Sequence, residues 1–150
     1  MILARDKHVL FWLISMTTLI IIMISVGGLT RLTESGLSMV NWDPLMGIIP
    51  PLSNSAWDTL FDQYKLYPEF KIKNSGMTLN EFKYIFWWEY GHRVLGRIIG
   101  VVFFLPFVYL AINRYFSKNE FLIYSFLFLL GLMQGLIGWW MVRSGLINNP

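Results

Sequence analysis

The sequence lacks cysteine altogether and carries little charge. Its 150 residues include no Cys and only two His, and 14% are charged, against about 25% in typical soluble domains. Without cysteine, the chain can form no disulfide, thiolate zinc site, iron–sulfur cluster or thiol nucleophile. A soluble domain of this size needs much more polar surface, and a disordered chain needs fewer apolar residues. Since 55% of the residues are apolar, the composition indicates an integral membrane protein.

The positive charge of the chain is also small. Twelve Lys and Arg residues against nine Asp and Glu residues leave a net charge of +3. These cations are scattered along the chain and form no basic stripe, so nucleic acid is not expected as a partner.

Three apolar segments are long enough to be transmembrane helices. Residues 9–29 and 121–142 contain no charged side chain, and a helix of about 20 residues crosses the roughly 30 Å hydrocarbon core of a bilayer. The first follows two basic residues, as a signal peptide does, but no Ala-x-Ala-like cleavage site follows it, which favours an uncleaved helix. The third apolar segment, residues 98–112, is too short by itself, and we predict a span over 84–112. The predicted fold is an all-α integral membrane protein with three transmembrane helices.

Residues 30–83 connect the first two predicted spans and contain two amphipathic patterns. In the first, apolar side chains recur at helical spacing, which predicts a helix starting near Ser55 and Asp58. These apolar residues are Trp57, Leu60, Phe61 and Tyr64. We predict a helical outer loop covering the membrane surface or the helix bundle; the alternative is an ordinary soluble loop.

The second pattern lies at the end of the same connection. Thr78 and Glu81 have the spacing of a capping box, and Met77 and Phe82 have that of a hydrophobic staple. The spacing predicts a helix that begins at Thr78 and continues into the middle span.

Arginines and lysines occur at both ends of the predicted spans. Those before the first span and between the second and third indicate a cytoplasmic N-terminus; they are Arg5, Lys7, Arg114 and Lys118. Four arginines then fall at the opposite ends of the spans, against the usual charge rule; they are Arg31, Arg93, Arg97 and Arg143. Such a cluster calls for an anion, either lipid phosphate or a cofactor bearing carboxylates.

The middle span carries the side chains best suited to chemistry. On a helix, Glu89 lies one turn before His92 and Arg93, and Arg97 lies one turn further along. Imidazole is a common axial ligand of haem iron, and guanidinium groups match the carboxylates of haem propionates. Gly91 would leave room for a planar macrocycle beside the helix. The alternative is a histidine in the headgroup region with a structural Glu–Arg pair.

Three long motifs resemble one known family. Residues 27–38 read GGLTRLTESGLS, residues 89–97 read EYGHRVLGR, and residues 134–146 read QGLIGWWMVRSGL. Together with Trp42-x-Pro44, they resemble in order the ends of the first three spans of heme A synthase. The cysteine-free first loop is similar to the proteobacterial and mitochondrial branch of that family.

The resemblance implies a reaction and a set of site residues. Heme A synthase oxidises the C8 methyl group of heme O to a formyl group by successive hydroxylations, making heme A for terminal oxidases, and it carries heme b as a cofactor. By the resemblance, His92 is an axial ligand of haem iron and Glu89 is the acidic catalytic residue near the reacting haem. Charge adds Arg31, Arg93 and Arg97 as partners of the propionates.

The resemblance also implies an environment and partners. We expect a multi-pass protein of the bacterial inner membrane, or of the mitochondrial inner membrane if the source is eukaryotic, in contact with membrane lipid. Heme O synthase and terminal oxidase assembly factors are possible partners.

The family has eight spans in two four-helix halves, whereas this sequence ends after its third predicted span. We therefore expect an incomplete four-helix haem-binding bundle, completed by missing C-terminal helices or by a second polypeptide. A truncated sequence, a split gene and a decaying gene are the alternatives. The corresponding alternative functions are a non-catalytic haem-binding or assembly fragment and an inactive remnant.

Overall fold

The chain folds into five α-helices in the computed structural model, which describes residues 2–40 and 49–147. They are α1 (Ile2–Leu32), α2 (Asn54–Tyr64), α3 (Pro68–Ile72), α4 (Leu79–Ile112) and α5 (Lys118–Ile147). Three contain segments long and apolar enough to cross a membrane: Asp6–Leu32, Leu79–Ile112 and Lys118–Gly145. No strand occurs in the described ranges, so the predicted all-α membrane fold is confirmed. Trp42 and Pro44, which carry part of the family resemblance, lie outside the described residues.

The start of α4 is set by the capping box found in the sequence. The Glu81 carboxylate accepts hydrogen bonds from the Thr78 backbone N–H and hydroxyl, both at 2.7 Å, and the Glu81 N–H donates to the Thr78 hydroxyl at 3.4 Å. These bonds satisfy N–H groups that have no partner within the helix. From this start, α4 runs without interruption to Ile112, so the helix predicted from Thr78 does continue into the middle span.

Helix α2 buries the face predicted from its spacing. Trp57, Phe61 and Tyr64 are buried, and Leu60 packs against them from a partly buried position. The predicted start near Ser55 is wrong by about one half-turn, because the hydroxyl of Ser53 accepts a hydrogen bond from the Ala56 N–H at 3.2 Å and caps the helix there. The short helix α3, with Pro68 at its first position, was not predicted.

A residue with left-handed backbone conformation, Glu34, follows two positions after the end of helix α1. Glu34 has φ 50°, and the Ser35 N–H donates to the Thr30 carbonyl at 3.0 Å while the Glu34 N–H donates to the Arg31 carbonyl at 3.1 Å. This pair of bonds is the Schellman arrangement that usually uses glycine. It turns the chain sharply after α1, so that residues 35–40 lead away from the helix axis.

The residues divide into two compact units. One consists of Ser25–Val94 with Gly138–Pro150, and we call it the Glu89 unit; the other consists of Met1–Ile24 with Leu95–Ile137, and we call it the Trp12 unit. The core of the Glu89 unit comprises Met39, Val40, Trp57, Phe61, Tyr64, Phe82, Ile85 and Phe86. The core of the Trp12 unit comprises Trp12, Met16, Phe107 and Leu110.

Candidate functional site

The candidate site is centred on the buried carboxylate of Glu89 in the Glu89 unit. Glu89 is 2% exposed, and one of its oxygens, Oε2, accepts hydrogen bonds from the Ser38 hydroxyl and the Met39 N–H, both at 2.7 Å. Charged side chains are buried only when they are paired and hydrogen-bonded. Glu89 therefore joins helix α4 to the segment that follows α1.

Arg93 completes this arrangement one helical turn further along α4. Its Nη2 atom forms an ion pair with Oε1 of Glu89 and donates to the Met39 carbonyl at 3.4 Å. The Met39 backbone is thus held at its N–H by a carboxylate and at its carbonyl by a guanidinium. The Glu–Arg pair predicted from the sequence forms. Both of its side chains also form hydrogen bonds to residues 38–39.

His92 lies beside Glu89 on α4 and is half-buried. Its ring Nε2 would be 3.3 Å, and its Cδ2 3.6 Å, from a Cβ atom placed on Gly27 of α1. Within residues 2–40 and 49–147, no hydrogen bond to the imidazole is formed.

The remaining predicted site residues are placed less closely. Arg31 lies in the last turn of α1 and is exposed. Arg97 lies one turn after Arg93 on α4, in a position assigned to the Trp12 unit. Gly91 has open space where its side chain would be, as expected for a position that leaves room beside the helix. The structure thus brings Glu89, Arg93 and His92 together with Gly27.

Two buried titratable residues in this unit, Glu69 and Tyr64, were not among the predicted site residues. Glu69 of α3 is 4% exposed, and its Oε2 has no hydrogen-bond partner among the described residues. Burial raises the pKa of Glu69 from 4.5 to about 7; nearby Lys73 opposes this rise, and the charges of Glu89 and Glu34 add to it.

Tyr64, the other residue, is fully buried, and its hydroxyl accepts a hydrogen bond from Nδ2 of Asn74 at 2.8 Å. Burial raises the pKa of Tyr64 to about 12. The helical spacing of α2 marked Tyr64 as an inward-facing position. No local sequence pattern predicted the burial of Glu69, because this burial depends on helix α3, which was itself not predicted.

The side chains at this site have the chemistry that a haem group requires. An imidazole without a hydrogen bond among the described residues can bind iron, and a guanidinium lies one residue away on the same helix. No group of three or more His, Cys, Asp or Glu side chains in the described part of the chain could hold a bare metal ion. A haem iron brings four ring nitrogens of its own, so one or two protein ligands suffice.

Three apolar helices and a charged, imidazole-bearing site define the class: an α-helical membrane protein with a polar site in its second long helix. Residues 10–150 match the model of the family described as cytochrome oxidase assembly protein, and the chain belongs to that family.

The curated relatives carry a more specific name. The chain is 51% identical over 147 residues to a heme A synthase of Nitrosospira multiformis, and this match covers 98% of the chain and 41% of the relative. It is 53% identical over 143 residues to a heme A synthase of Azorhizobium caulinodans, covering 95% of the chain and 41% of the relative. The chain thus spans about two fifths of the length of these relatives. No solved structure is significantly similar to it. The family resemblance stated from the sequence motifs is confirmed.

Proposed function

We propose that this chain is the N-terminal portion of a heme A synthase, which oxidises the C8 methyl group of heme O to a formyl group. The observation that carries the proposal is His92. Its imidazole forms no hydrogen bond within the described residues and stands beside a buried Glu–Arg pair. It does so in a chain about half identical to proteins named heme A synthase.

We assign His92 as the residue that would bind haem iron through its imidazole. When bound, a heme b cofactor would supply the redox-active iron, and heme O would be the substrate. The half-buried position of His92 supports this role, because an imidazole held away from water and without a competing hydrogen bond keeps a nitrogen lone pair for a metal.

We assign Arg31, Arg93 and Arg97 as partners of haem propionates. Arg93 already pairs with Glu89, so a propionate would share its remaining N–H groups. Guanidinium carries five N–H donors, which is enough to serve two carboxylates at once. The exposed side chain of Arg31 can turn toward an incoming anion.

We assign Glu89 as the acidic catalytic residue of the oxidation. In the structure, both of its oxygens are engaged, by Ser38 and Met39 on one side and by Arg93 on the other. These three bonds leave one lone pair on Oε1, where the carboxylate could hold or release a proton beside the substrate. Glu89 therefore has two functions in the proposal, since it also holds residues 38–39 against α4.

The surroundings of the chain complete the proposal. It lies in a bacterial inner membrane with its N-terminus in the cytoplasm, or in the mitochondrial inner membrane of a eukaryote. Its partners are the polypeptide that supplies the rest of the relatives' length, heme O synthase and terminal oxidase assembly factors.

The test uses haem binding and heme A formation as separate readouts. The chain is purified in mild detergent and titrated with hemin, and its absorption spectrum is compared with that of the His92→Ala variant. We expect a bound-haem spectrum that is lost in the variant. Equal spectra and affinities for the two proteins would contradict the assignment of His92.

Heme A formation is then measured in cells that make heme O but not heme A. The chain is expressed together with the portion of the Nitrosospira multiformis relative that it does not cover, and the haems are extracted and separated. We expect heme A with the wild-type chain, and bound haem without heme A for Glu89→Gln. Undiminished heme A from Glu89→Gln would remove its catalytic role.

A second function is favoured by the closed hydrogen bonding of Glu89. If its carboxylate only joins α4 to residues 38–39, the chain is a non-catalytic haem-binding or assembly component. Bound hemin without any heme A in the experiment above would favour this function over the enzyme.

A further inference from the structure

Gly27 of α1 is the residue whose missing side chain leaves room for the imidazole of His92. A Cβ atom at position 27 would lie 3.3 Å from Nε2, which is closer than ordinary van der Waals contact. Nε2 is the imidazole nitrogen farthest from the main chain, and it is the ring atom nearest to the place that a side chain at position 27 would occupy.

We propose that Gly27 is a positioning residue that sets the orientation of His92 and keeps its Nε2 accessible to haem iron. This inference rests on the proposed function, in which His92 is an iron ligand. It concerns a residue on a different helix from the ligand, which acts through packing alone and makes no bond to the cofactor.

The orientation of the His92 imidazole depends on the groups that surround it. No hydrogen bond within the described residues does so, and metal-binding histidines usually have such a bond to set the ring orientation. Packing must therefore provide much of the constraint, and Gly27 of α1 lies so close to the ring that a Cβ atom there would contact it. A methyl group at this position would force the ring to shift by a few tenths of an ångström or to turn.

The neighbouring glycine provides a matched control. Gly28 belongs to the same helix and is the next residue along the chain, but a Cβ atom placed there meets nothing within 4 Å. Replacing either glycine by alanine changes helix propensity in the same favourable direction. Any difference between Gly27→Ala and Gly28→Ala therefore reports the surroundings of the added methyl group.

The experiment compares Gly27→Ala, Gly28→Ala and His92→Ala with the wild-type chain in detergent, each titrated with hemin. We expect Gly27→Ala to weaken hemin binding by about tenfold or more and to shift the absorption bands, as loss of a supporting contact typically does at metal sites. Gly28→Ala should bind within about twofold of wild type. If His92→Ala loses hemin while Gly27→Ala binds it like wild type, the role of Gly27 is overturned and the proposed function stands. If His92→Ala binds hemin normally, the proposed function itself fails.

A second measurement needs no haem and covers the case in which Gly27→Ala folds poorly. The melting temperature of the apoprotein is measured for Gly27→Ala in the wild-type and His92→Ala backgrounds. We expect Gly27→Ala to lower it only when His92 is present, and to raise it slightly, as Gly28→Ala does, when the imidazole is gone. An equal decrease in both backgrounds would place the clash elsewhere and overturn the proposal.

Discussion

The Glu89 unit and the Trp12 unit have cores of different chemistry. Among the residues that the structure describes, five buried polar or charged ones occur, and all belong to the Glu89 unit: Thr30, Ser35, Ser38, Glu69 and Glu89. The core of the Trp12 unit is apolar, and its polar feature is the indole N–H of Trp12, which donates to the Val102 carbonyl at 3.1 Å.

Among the described residues, the energetically unfavourable burial of carboxylates occurs in the Glu89 unit. Burial of a carboxylate is unfavourable unless every oxygen finds a partner. Both oxygens of Glu89 have partners, whereas Oε2 of Glu69 has none within residues 2–40 and 49–147. Buried polar groups of this kind concentrate at functional sites. The four predictions below test the contrast between the units, from the largest expected effect to the smallest.

Glu89→Ala should be the most destabilising substitution. It removes the ion-pair partner of Arg93, which keeps the Met39 carbonyl as an acceptor, and it leaves the Ser38 hydroxyl and the Met39 N–H without their acceptor. Breaking a buried ion pair typically costs about 3–5 kcal/mol. Thermal melting in detergent, followed by tryptophan fluorescence, measures the loss. The control is Glu120→Ala in the Trp12 unit, where a half-buried glutamate accepts from the Ser117 N–H at 2.7 Å and removal should cost about 1 kcal/mol. Equal losses of stability would show that Glu89 contributes no more to its unit than Glu120 contributes to the other.

Phe61→Ala and Phe107→Ala form a matched pair, since both side chains are 8% exposed. Phe61 lies in α2, outside the long apolar helices, so its truncation should cost about 3 kcal/mol through lost burial and a cavity. Phe107 lies in a candidate membrane span. Because an unpacked helix in a membrane is surrounded by lipid and not by water, truncation of Phe107 should cost only about 1–2 kcal/mol. Chemical unfolding in detergent compares the two. A larger loss for Phe107→Ala would reverse the contrast between the units.

The pKa of Glu69 predicts that the Glu89 unit loses stability as pH rises. Burial raises the folded-state pKa to about 7 from an ordinary value of 4.5. The folded state therefore binds the proton more tightly, and this contribution is complete below pH 4.5 and is lost as pH rises through 7. Glu69→Gln should raise the free energy of unfolding by about 1–3 kcal/mol at pH 8 and leave it unchanged at pH 4. Melting curves across this range test the prediction.

Asp62→Asn is the control for this pH experiment. Asp62 is exposed and pairs with Lys65 at 2.8 Å, so its loss should change stability by less than about 1 kcal/mol. A melting temperature of Glu69→Gln that falls with pH as steeply as that of wild type would assign the pH dependence to another group.

The smallest effect concerns the two residues with left-handed backbone. Glu34 in the Glu89 unit has φ 50° and Arg114 in the Trp12 unit has φ 56°, and both close the same pattern of hydrogen bonds after a helix. Replacement of either by glycine relieves this conformation and should stabilise the protein by up to about 1 kcal/mol. If Arg114→Gly raised the free energy of unfolding while Glu34→Gly lowered it, the Glu34 side chain would have a stabilising role of its own.

Local signals in the sequence account for much of the fold. The long apolar segments, the capping box of Thr78 and Glu81, and the buried face of α2 all depend on residues within one or two helical turns, and each formed as predicted. The start of α2 was misplaced because Ser53 and Ser55 are both acceptable caps, and only the path of the preceding chain selects Ser53. Helix α3 has five residues, too few for a periodic pattern.

The sequence by itself determined the class of protein, its three long helices and the residue types of its site. These follow from composition and from spacing along one helix, as in the Glu89–Arg93 pair, where neighbours four apart necessarily meet. The tertiary structure alone decided which distant residues complete the site. Ser38 and Met39 reach Glu89 from about 50 positions away in the chain, Gly27 lies close to His92, and Oε2 of Glu69 is buried without a hydrogen-bond partner among the described residues. No local pattern encodes such contacts, because they arise when separate helices pack and exclude water together.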